Sequence, residues 1–185
     1  AVLSEQLGIS RAPIREALQV LVQEGLITSE PQKGKHVRQM TGKEIYDSYV
    51  VAGILEGAGV AESLPLWTEA NMETFRSVVR QMEGKISYAT KLDELAEIDE
   101  LFHATLFMAC DNTRLVEMAR TSCATISKYL YYQHWITMFT PREYADRHHA
   151  VAEAVYSRDV KHVETALRDH YKETGLRMAQ FGKEA

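Results

Sequence analysis

The sequence predicts a mostly α-helical protein, in which a small N-terminal unit precedes an all-α bundle of about six helices. Three observations support this fold class. Residues 3–26 have the pattern of two short helices around a turn, residues 26–38 read as two short strands, and apolar residues after residue 40 recur at helical spacing without a strand pattern. The chain of 185 residues is 45% hydrophobic and 25% charged, which is enough for a small domain and a full one.

The first segment contains the signals of a helix, a turn and a second helix. Gly8 can adopt the left-handed backbone that ends a helix, and Ser10 is a suitable N-cap for the next one. Arg11 and Arg15 then lie one turn apart near the N-terminus of the second helix. A recognition helix presents its N-terminal residues to base edges in the major groove, although two arginines alone are more often a solvated helix face.

A short hairpin follows the second helix. Residues 26–30 and 35–38 are strand candidates on either side of a turn that contains proline and glycine, and the second strand is basic. A helix-turn-helix followed by a basic hairpin is a winged helix, whose wing would lie against the phosphate backbone of DNA. The sequence therefore predicts a winged helix-turn-helix that binds double-stranded DNA.

Residues 4–27 and 31–37 together resemble the DNA-binding domain of the GntR family of bacterial transcription regulators. The resemblance implies that DNA is contacted by Ser10, Arg11 and Arg15 of the recognition helix and by Lys33, Gly34 and His36 at the tip of the wing. Members of the family begin with a further helix, which is absent from this sequence. The winged domain, assigned to residues 1–40, is therefore expected to be truncated at its start.

The charge of the chain is unevenly distributed. Residues 1–41 carry a net charge of +1 and the remaining residues a net charge of −6, within a total of −5. An acidic remainder is a poor surface for nucleic acid, so DNA binding is expected only from the N-terminal unit.

Nothing in the sequence predicts export or a membrane. It contains no run of about eighteen apolar residues and no signal-peptide pattern. Cys110 and Cys123 have no CxxC spacing and are expected to be packed free thiols. We therefore expect a cytoplasmic protein.

The second domain, assigned to residues 41–185, is expected to be all helical. Its first helix carries small residues, among them Gly53, Gly57 and Gly59, which would let another helix approach closely. Small residues and an acidic bundle also supply a surface for self-association, so a homodimer is expected. Asn112 is expected to cap one long helix that continues to Leu130.

Titratable residues occur where this bundle should be apolar. Asp99 and His103 form an i, i+4 pair inside an apolar arc, which a simple hydrogen bond between them would also explain. His148 and His170 fall on the inward faces of two later helices, although periodicity does not separate His148 from His149. One carboxylate and three histidines are a ligand set for zinc, nickel, manganese or iron rather than for calcium or magnesium.

Residues 44–178 resemble the FCD domain, the C-terminal ligand-binding domain of FadR-type GntR regulators. The resemblance implies that Asp99, His103, His148 and His170 bind a divalent transition metal ion, with zinc as the first choice. It also implies a small carboxylate effector bound at that metal. Relatives usually carry an arginine four residues before the position of Glu56, and Ala52 replaces it here, so an anionic effector must be held in another way.

The function predicted from these patterns is a DNA-binding transcription regulator whose operator binding is controlled by the effector. A metal-dependent, hydrolase-like enzyme and a regulator with a purely structural metal are the alternatives. The sequence has no HExxH motif, no phosphate-binding loop and no separate candidate for a general base, so we expect no enzymatic activity.

Overall fold

The computed structural model describes residues 2–32 and 34–184. Its N-terminal part consists of helices α1 (Val2–Leu7) and α2 (Arg11–Gln23) and strands β1 (Ile27–Glu30) and β2 (Gly34–Val37). The two strands form an antiparallel hairpin in which Ile27 is opposite Val37 and Glu30 is opposite Gly34. The predicted order of helix, turn, helix and hairpin is confirmed.

The turn between the first two helices follows the predicted backbone conformations. Gly8 has a φ of 66° and ends α1. Ser10 occupies the N-cap position of α2 in an extended conformation, but its side chain makes no capping hydrogen bond. Neither α1 nor α2 contains a buried residue, so the apolar face of α2 stays partly open to solvent.

The rest of the described chain forms the predicted helical bundle. Its helices are α3 (Gly42–Ser63), α4 (Glu69–Ile86), α5 (Ala96–Leu106), α6 (Thr113–Ser122), α7 (Tyr132–Trp135), α8 (Pro141–Ser157) and α9 (Val160–Ala179). Within the described residues, six of these helices have ten residues or more, in agreement with the predicted number.

Capping boxes fix where several of these helices begin. The side chain of Thr41 accepts a hydrogen bond from the backbone N–H of Glu44, and the Glu44 carboxylate accepts one from the N–H of Thr41. Thr140 and Glu143 repeat this arrangement at the start of α8. Each such cap contributes roughly 1 kcal/mol to helix stability.

The packing of α3 against α9 requires glycine at two positions. A Cβ atom on Gly53 would lie 2.8 Å from the Cβ of Tyr171, and one on Gly175 would lie 2.8 Å from the Cβ of Tyr49. Gly59 is likewise covered by Leu115 of α6. The glycines of α3 thus let other helices of the same chain approach closely, as the sequence predicts, and the homodimer stays a prediction.

The expected long helix after Asn112 is interrupted. Helix α6 ends at Ser122, residues 125–130 form a π-helical turn, and the short α7 follows. The hydroxyls of Thr121 and Ser122 donate hydrogen bonds to backbone carbonyls one turn earlier. Such bonds compete with the helical ladder and bend helices, which periodicity of apolar residues does not reveal.

Two groups of buried residues hold the bundle together. The larger one lies between α4, α5, α8 and α9 and includes Phe75 and Phe102, whose ring centroids are 5.4 Å apart. The smaller one surrounds Met40, Tyr49 and Tyr131, where the chain enters α3. The segment that joins the hairpin to the bundle is therefore anchored in a core of its own.

Helix α3 and the turn after it, Gly42–Leu66, are long and apolar enough by composition to cross a membrane. Half of its most apolar 18-residue stretch is buried within the bundle, and the core helix of a soluble protein has the same property.

Candidate functional site

The four predicted metal ligands meet at one cavity inside the bundle. Asp99 and His103 lie on successive turns of α5, His148 on α8 and His170 on α9. The three histidines offer nitrogen atoms that all lie within 4.8 Å of one another. The cavity has a volume of about 390 Å³, within the range of small-molecule sites.

His148 makes a polar contact on each side of its ring. Its Nδ1 donates to the backbone carbonyl of Tyr144 at 2.8 Å, which directs Nε2 towards Asp99, 3.1 Å from Oδ1. Burial lowers the pKa of His148. Burial opposes the charge of Asp99, but the hydrogen bond from His148 and the charges of the histidines outweigh it, and the pKa of Asp99 is lowered.

A neutral His148 with its proton on Nδ1 places a nitrogen lone pair opposite a carboxylate oxygen. Two acceptors at this distance need either a proton or a metal ion between them. Ligand atoms with metal bonds of 2.0–2.2 Å are themselves about 3 Å apart. The separation of His148 and Asp99 therefore suits two ligands of one metal ion.

His103 is oriented by a carboxylate from α3. Its Nδ1 lies 2.6 Å from Oε1 of Glu56, and the other oxygen of Glu56 accepts a hydrogen bond from the Tyr171 hydroxyl at 2.6 Å. Glu56 is only 3% exposed. Burial lowers the pKa of His103, but the neighbouring Glu56 carboxylate more than compensates and raises it to about 9. Carboxylates in this position orient metal-binding histidines and increase their basicity.

The alternative of a simple hydrogen bond between Asp99 and His103 does not describe this site. Their nearest side-chain atoms, Nε2 and Oδ1, are 4.0 Å apart, beyond hydrogen-bond distance. His149, which periodicity did not separate from His148, points to another face, where its Nε2 is 3.1 Å from Glu83. The structure thus distinguishes the two adjacent histidines.

His170 has a ring nitrogen without a partner. Its Nδ1 is buried and makes no hydrogen bond within the described residues. Burial, followed by the positive charge of Arg147, lowers the pKa of His170 well below its ordinary value, so the ring is neutral. A neutral imidazole with an unpaired buried nitrogen is suited to bind a metal ion.

Arg147 is a site residue that sequence reasoning missed. Its side chain is 12% exposed and lines the cavity, where its guanidinium stacks 4.0 Å from the ring centre of Phe139. Ala52, where an arginine was expected, is fully buried and brings no charge. The sequence signal for Arg147 is weak, because Arg147 is next to the inward-facing His148 and does not itself lie on the inward face of α8. It reaches the cavity only because its side chain is long.

The proposed DNA contacts lie on the surface of the N-terminal part. Ser10, Arg11 and Arg15 are exposed at the start of α2, and Gly34 and His36 are exposed on β2. Lys33, predicted at the tip of the wing, lies outside the described residues. The polar groups at the start of α2 are thus accessible to a duplex.

Comparisons with known families and proteins agree with this architecture. Residues 1–37 match the family of bacterial regulatory proteins called the gntR family, and residues 47–173 match the FCD domain. The chain is 28% identical over 148 residues to the Nta operon transcriptional regulator of Aminobacter aminovorans, covering 79% of this chain and 67% of that protein. It is 25% identical over 185 residues to the transcriptional repressor RspR of Escherichia coli, covering 98% and 79% respectively.

Among solved structures, McbR/YncC of E. coli superposes with a TM-score of 0.72 at 19% identity, covering 96% of this chain and 84% of that one. At this identity the likeness establishes the fold alone. The relatives are transcription regulators and not enzymes, so the hydrolase-like alternative is set aside. The chain belongs to the GntR family of bacterial regulatory proteins, and it is a DNA-binding transcription regulator with a C-terminal FCD domain.

Proposed function

We propose that this regulator binds its operator through residues 1–40 and senses a small carboxylate through a metal ion held by residues 41–185. The observation that carries the proposal is the convergence of three histidines from three helices, with Asp99 3.1 Å from His148 and the unpaired Nδ1 of His170 among them.

Asp99, His103, His148 and His170 would hold the ion. The donor set of three imidazoles and one carboxylate favours a divalent transition metal, with zinc as the first choice and nickel, manganese or iron as alternatives. When bound, the ion supplies a Lewis-acidic centre that can take an oxygen ligand from a small molecule.

The charge of the site favours an anion as that ligand. A divalent ion is offset by Asp99 and Glu56, and Arg147 then leaves a net charge of about +1 around the cavity. Glu173 pairs with Arg147, but it is shared with Arg177 and is partly exposed. Apolar residues such as Trp135 and Phe139 line other parts of the cavity and lower the local dielectric, which strengthens the attraction.

The winged part would contact DNA through the recognition helix and the wing. We assign Ser10, Arg11 and Arg15 to the major groove or its flanking phosphates, and Lys33, Gly34 and His36 to the backbone beside it. The active form is a cytoplasmic homodimer that reads two half-sites. Sedimentation of the purified protein tests the dimer.

The cavity lies close to the linker, which is the segment between the wing and α3. Cys123, Ser127 and Tyr132 line the cavity, and Tyr131 of the same segment is hydrogen-bonded to the backbone of Met40 between the wing and α3. A ligand that displaces this segment changes how the linker is held, and with it the spacing of the two winged domains.

Elemental analysis of protein purified without added metal tests the metal centre. We expect about one equivalent of a transition metal per chain, and a lower melting temperature after chelation because the lone pairs then face each other without a cation. His170→Ala should abolish metal binding, whereas His149→Ala should retain it. Less than half an equivalent, with a melting temperature insensitive to chelation, would contradict the proposal.

A thermal-shift panel of carboxylates separates a sensing metal from a purely structural one. Stabilisation of the metal-loaded protein but not of the metal-free protein is the expected result. Equal stabilisation of both forms would show that the acid binds away from the metal.

A further inference from the structure

We propose that the cavity is entered between α5 and residues 120–128, and that the ion pair of Lys128 with Glu100 closes this entrance. The inference rests on the proposed function, since it describes how a small molecule would reach the site inside the bundle. An ion pair at an entrance changes how often the cavity opens, and it need not contact the molecule that is bound inside.

Exposed side chains mark where the cavity meets solvent. Among the described residues that line it, most are buried or half-buried, and the four that are exposed all carry a charge. Glu97 and Glu100 belong to α5, Arg120 belongs to α6, and Lys128 belongs to the π-helical turn. A residue that both lines a cavity and is exposed lies at its opening, so the opening is bounded by α5 on one side and by residues 120–128 on the other.

One ion pair spans this opening. The Nζ of Lys128 lies 3.0 Å from Oε2 of Glu100. Among the hydrogen bonds and ion pairs within the described part of the chain, it is the one direct link between α5 and residues 113–135. Glu97, the other acidic residue at the opening, instead faces Lys85 of α4 at 3.6 Å. The pair of Lys128 and Glu100 therefore holds the two sides of the entrance together.

The side that carries Lys128 is irregular and is anchored only in part. Residues 125–130 form the π-helical turn, and turns of this kind are rare and occur frequently at functional sites. Ile126 is 1% exposed and belongs to the smaller core group around Met40, whereas Lys128 and Tyr129 are exposed. The core thus holds the turn at Ile126, while the ion pair holds its outer residues to α5.

The strength of this ion pair suits an entrance that opens readily. The side chains of Lys128 and Glu100 are 49% and 68% exposed. Ion pairs between exposed side chains change an equilibrium constant by about 1.4- to 5-fold, and salt screens them. Loss of the pair should therefore raise the population of the open state a few-fold without unfolding the bundle.

Cys123 can report the opening. It lines the cavity, and burial raises the pKa of its thiol to about 12, so it should react slowly with an alkylating reagent while the entrance is closed. The positive charge of Lys128 opposes this rise in the pKa of Cys123. Loss of that charge would by itself slow the reaction, so faster labelling in a Lys128 variant reports access to the cavity and not a more acidic thiol.

The test measures labelling of Cys123 by N-ethylmaleimide, an uncharged reagent, in full-length protein that carries Cys110→Ser as the background. Mass spectrometry follows the rate. We expect Lys128→Glu and Glu100→Lys each to speed labelling about 2- to 5-fold, and the double variant, which restores the pair with its charges reversed, to return to the background rate. Arg114→Ala breaks an exposed ion pair of α6 that does not line the cavity, and it should leave the rate unchanged.

An unchanged rate in Lys128→Glu would overturn the inference, as would a double variant that stays as fast as the single variants. Reaction of Cys123 only under conditions that unfold the chain would also overturn it, because no entrance would then open in the folded protein. If Lys128→Glu lowers the melting temperature, Lys128→Gln decides the question, because it only removes the charge.

The labelling reaction needs no bound metal, and the metal content of each sample is measured beside it. Protein that lacks a metal but shows the expected changes in rate would contradict the proposed metal centre and support the entrance. Protein that holds a metal but shows the same rate in every variant would contradict the entrance alone.

Discussion

The hydroxyl of Tyr131 accepts a hydrogen bond from the backbone N–H of Met40 at 2.9 Å and donates one to the carbonyl of the same residue at 3.2 Å. The two residues are 91 positions apart in the chain. One side chain thus connects the segment beside the cavity with the linker that leaves the hairpin. The carbonyl of Met40 also accepts a hydrogen bond from the N–H of Lys183, so the linker is fixed from two directions.

Removal of this hydroxyl should loosen the linker. Tyr131→Phe deletes both hydrogen bonds, and the one that protects the Met40 N–H has a net contribution of roughly 1 kcal/mol, so the Met40 amide should exchange with solvent about 5-fold faster. Hydrogen exchange followed by NMR or mass spectrometry measures this rate. Tyr129→Phe is the control, because Tyr129 is 64% exposed in the π-helical turn that precedes Tyr131. Equal exchange in both variants would show that the linker does not depend on Tyr131.

Arginines at the start of α2 should carry much of the operator affinity. Arg11→Ala and Arg15→Ala each remove a charged donor, and each should weaken binding by about 1 to 3 kcal/mol. Fluorescence anisotropy with DNA from the promoter region of its own gene measures the change. Arg114→Ala, on the exposed face of α6, should have no effect. Wild-type affinity in the double variant at positions 11 and 15 would remove α2 from the DNA interface.

Glu56 should determine how tightly the metal is held. Glu56→Gln keeps the shape of the side chain but removes the charge beside His103, and metal affinity should fall about 10- to 100-fold. Competition with a chelator of known affinity measures it. Glu62→Gln, an exposed change on the same helix, is the control. Identical affinities in the two variants would mean that Glu56 only fills space.

The close contact between α3 and α9 should make glycine necessary at position 175. Gly175→Ala places a methyl group 2.8 Å from the Cβ of Tyr49, and overpacking of this kind costs about 1 to 3 kcal/mol. Gly84→Ala provides the opposite case, since no atom lies within 4 Å of the added carbon. Because Gly84 lies inside a helix, replacing it with alanine should raise the free energy of unfolding by about 0.5 to 1 kcal/mol. Urea denaturation of both variants should therefore give free-energy changes of opposite sign.

Glu143 should make the stability of the bundle depend on pH. The backbone N–H and the hydroxyl of Thr140, and then Arg177, hold the pKa of Glu143 below its ordinary value of 4.5. A carboxyl group with a lowered folded-state pKa stabilises the protein above its ordinary pKa, and it loses this contribution as the pH falls through the folded-state value. Glu143→Gln should melt at a lower temperature than wild type at pH 6, and the two should converge once the pH has fallen below the lowered pKa of Glu143. Differential scanning calorimetry across this range, with Glu153→Gln as the control, tests the sign.

The parts of the fold that repeat with helical period were predictable. Apolar spacing located the long helices, and the same spacing put Asp99, His103, His148 and His170 on inward faces before their distances were known. The prediction was possible because one face of each bundle helix is buried and apolar, so a polar residue on that face interrupts the apolar pattern of the sequence.

Features that depend on side-chain reach were not predictable from spacing. Arg147 belongs to the cavity because its long side chain extends to Thr174, 27 positions away. The π-helical turn follows two hydroxyls, of Thr121 and Ser122, that donate hydrogen bonds back to the helix, and apolar spacing does not report such bonds. Glu56 and His103 are 47 positions apart in the chain. Their contact likewise depends on how α3 and α5 pack against each other.

The glycine contacts between α3 and α9 divide the cavity into a fixed side and an adjustable side. Tyr49 and Glu56 belong to α3 and His170 belongs to α9, and these two helices have no space in which to slide past each other. Residues 123–135 line another side of the cavity, where regular helix is already broken. Because Tyr131 of that segment also holds Met40, the proposed effector site and the linker to the DNA-binding unit share one irregular segment.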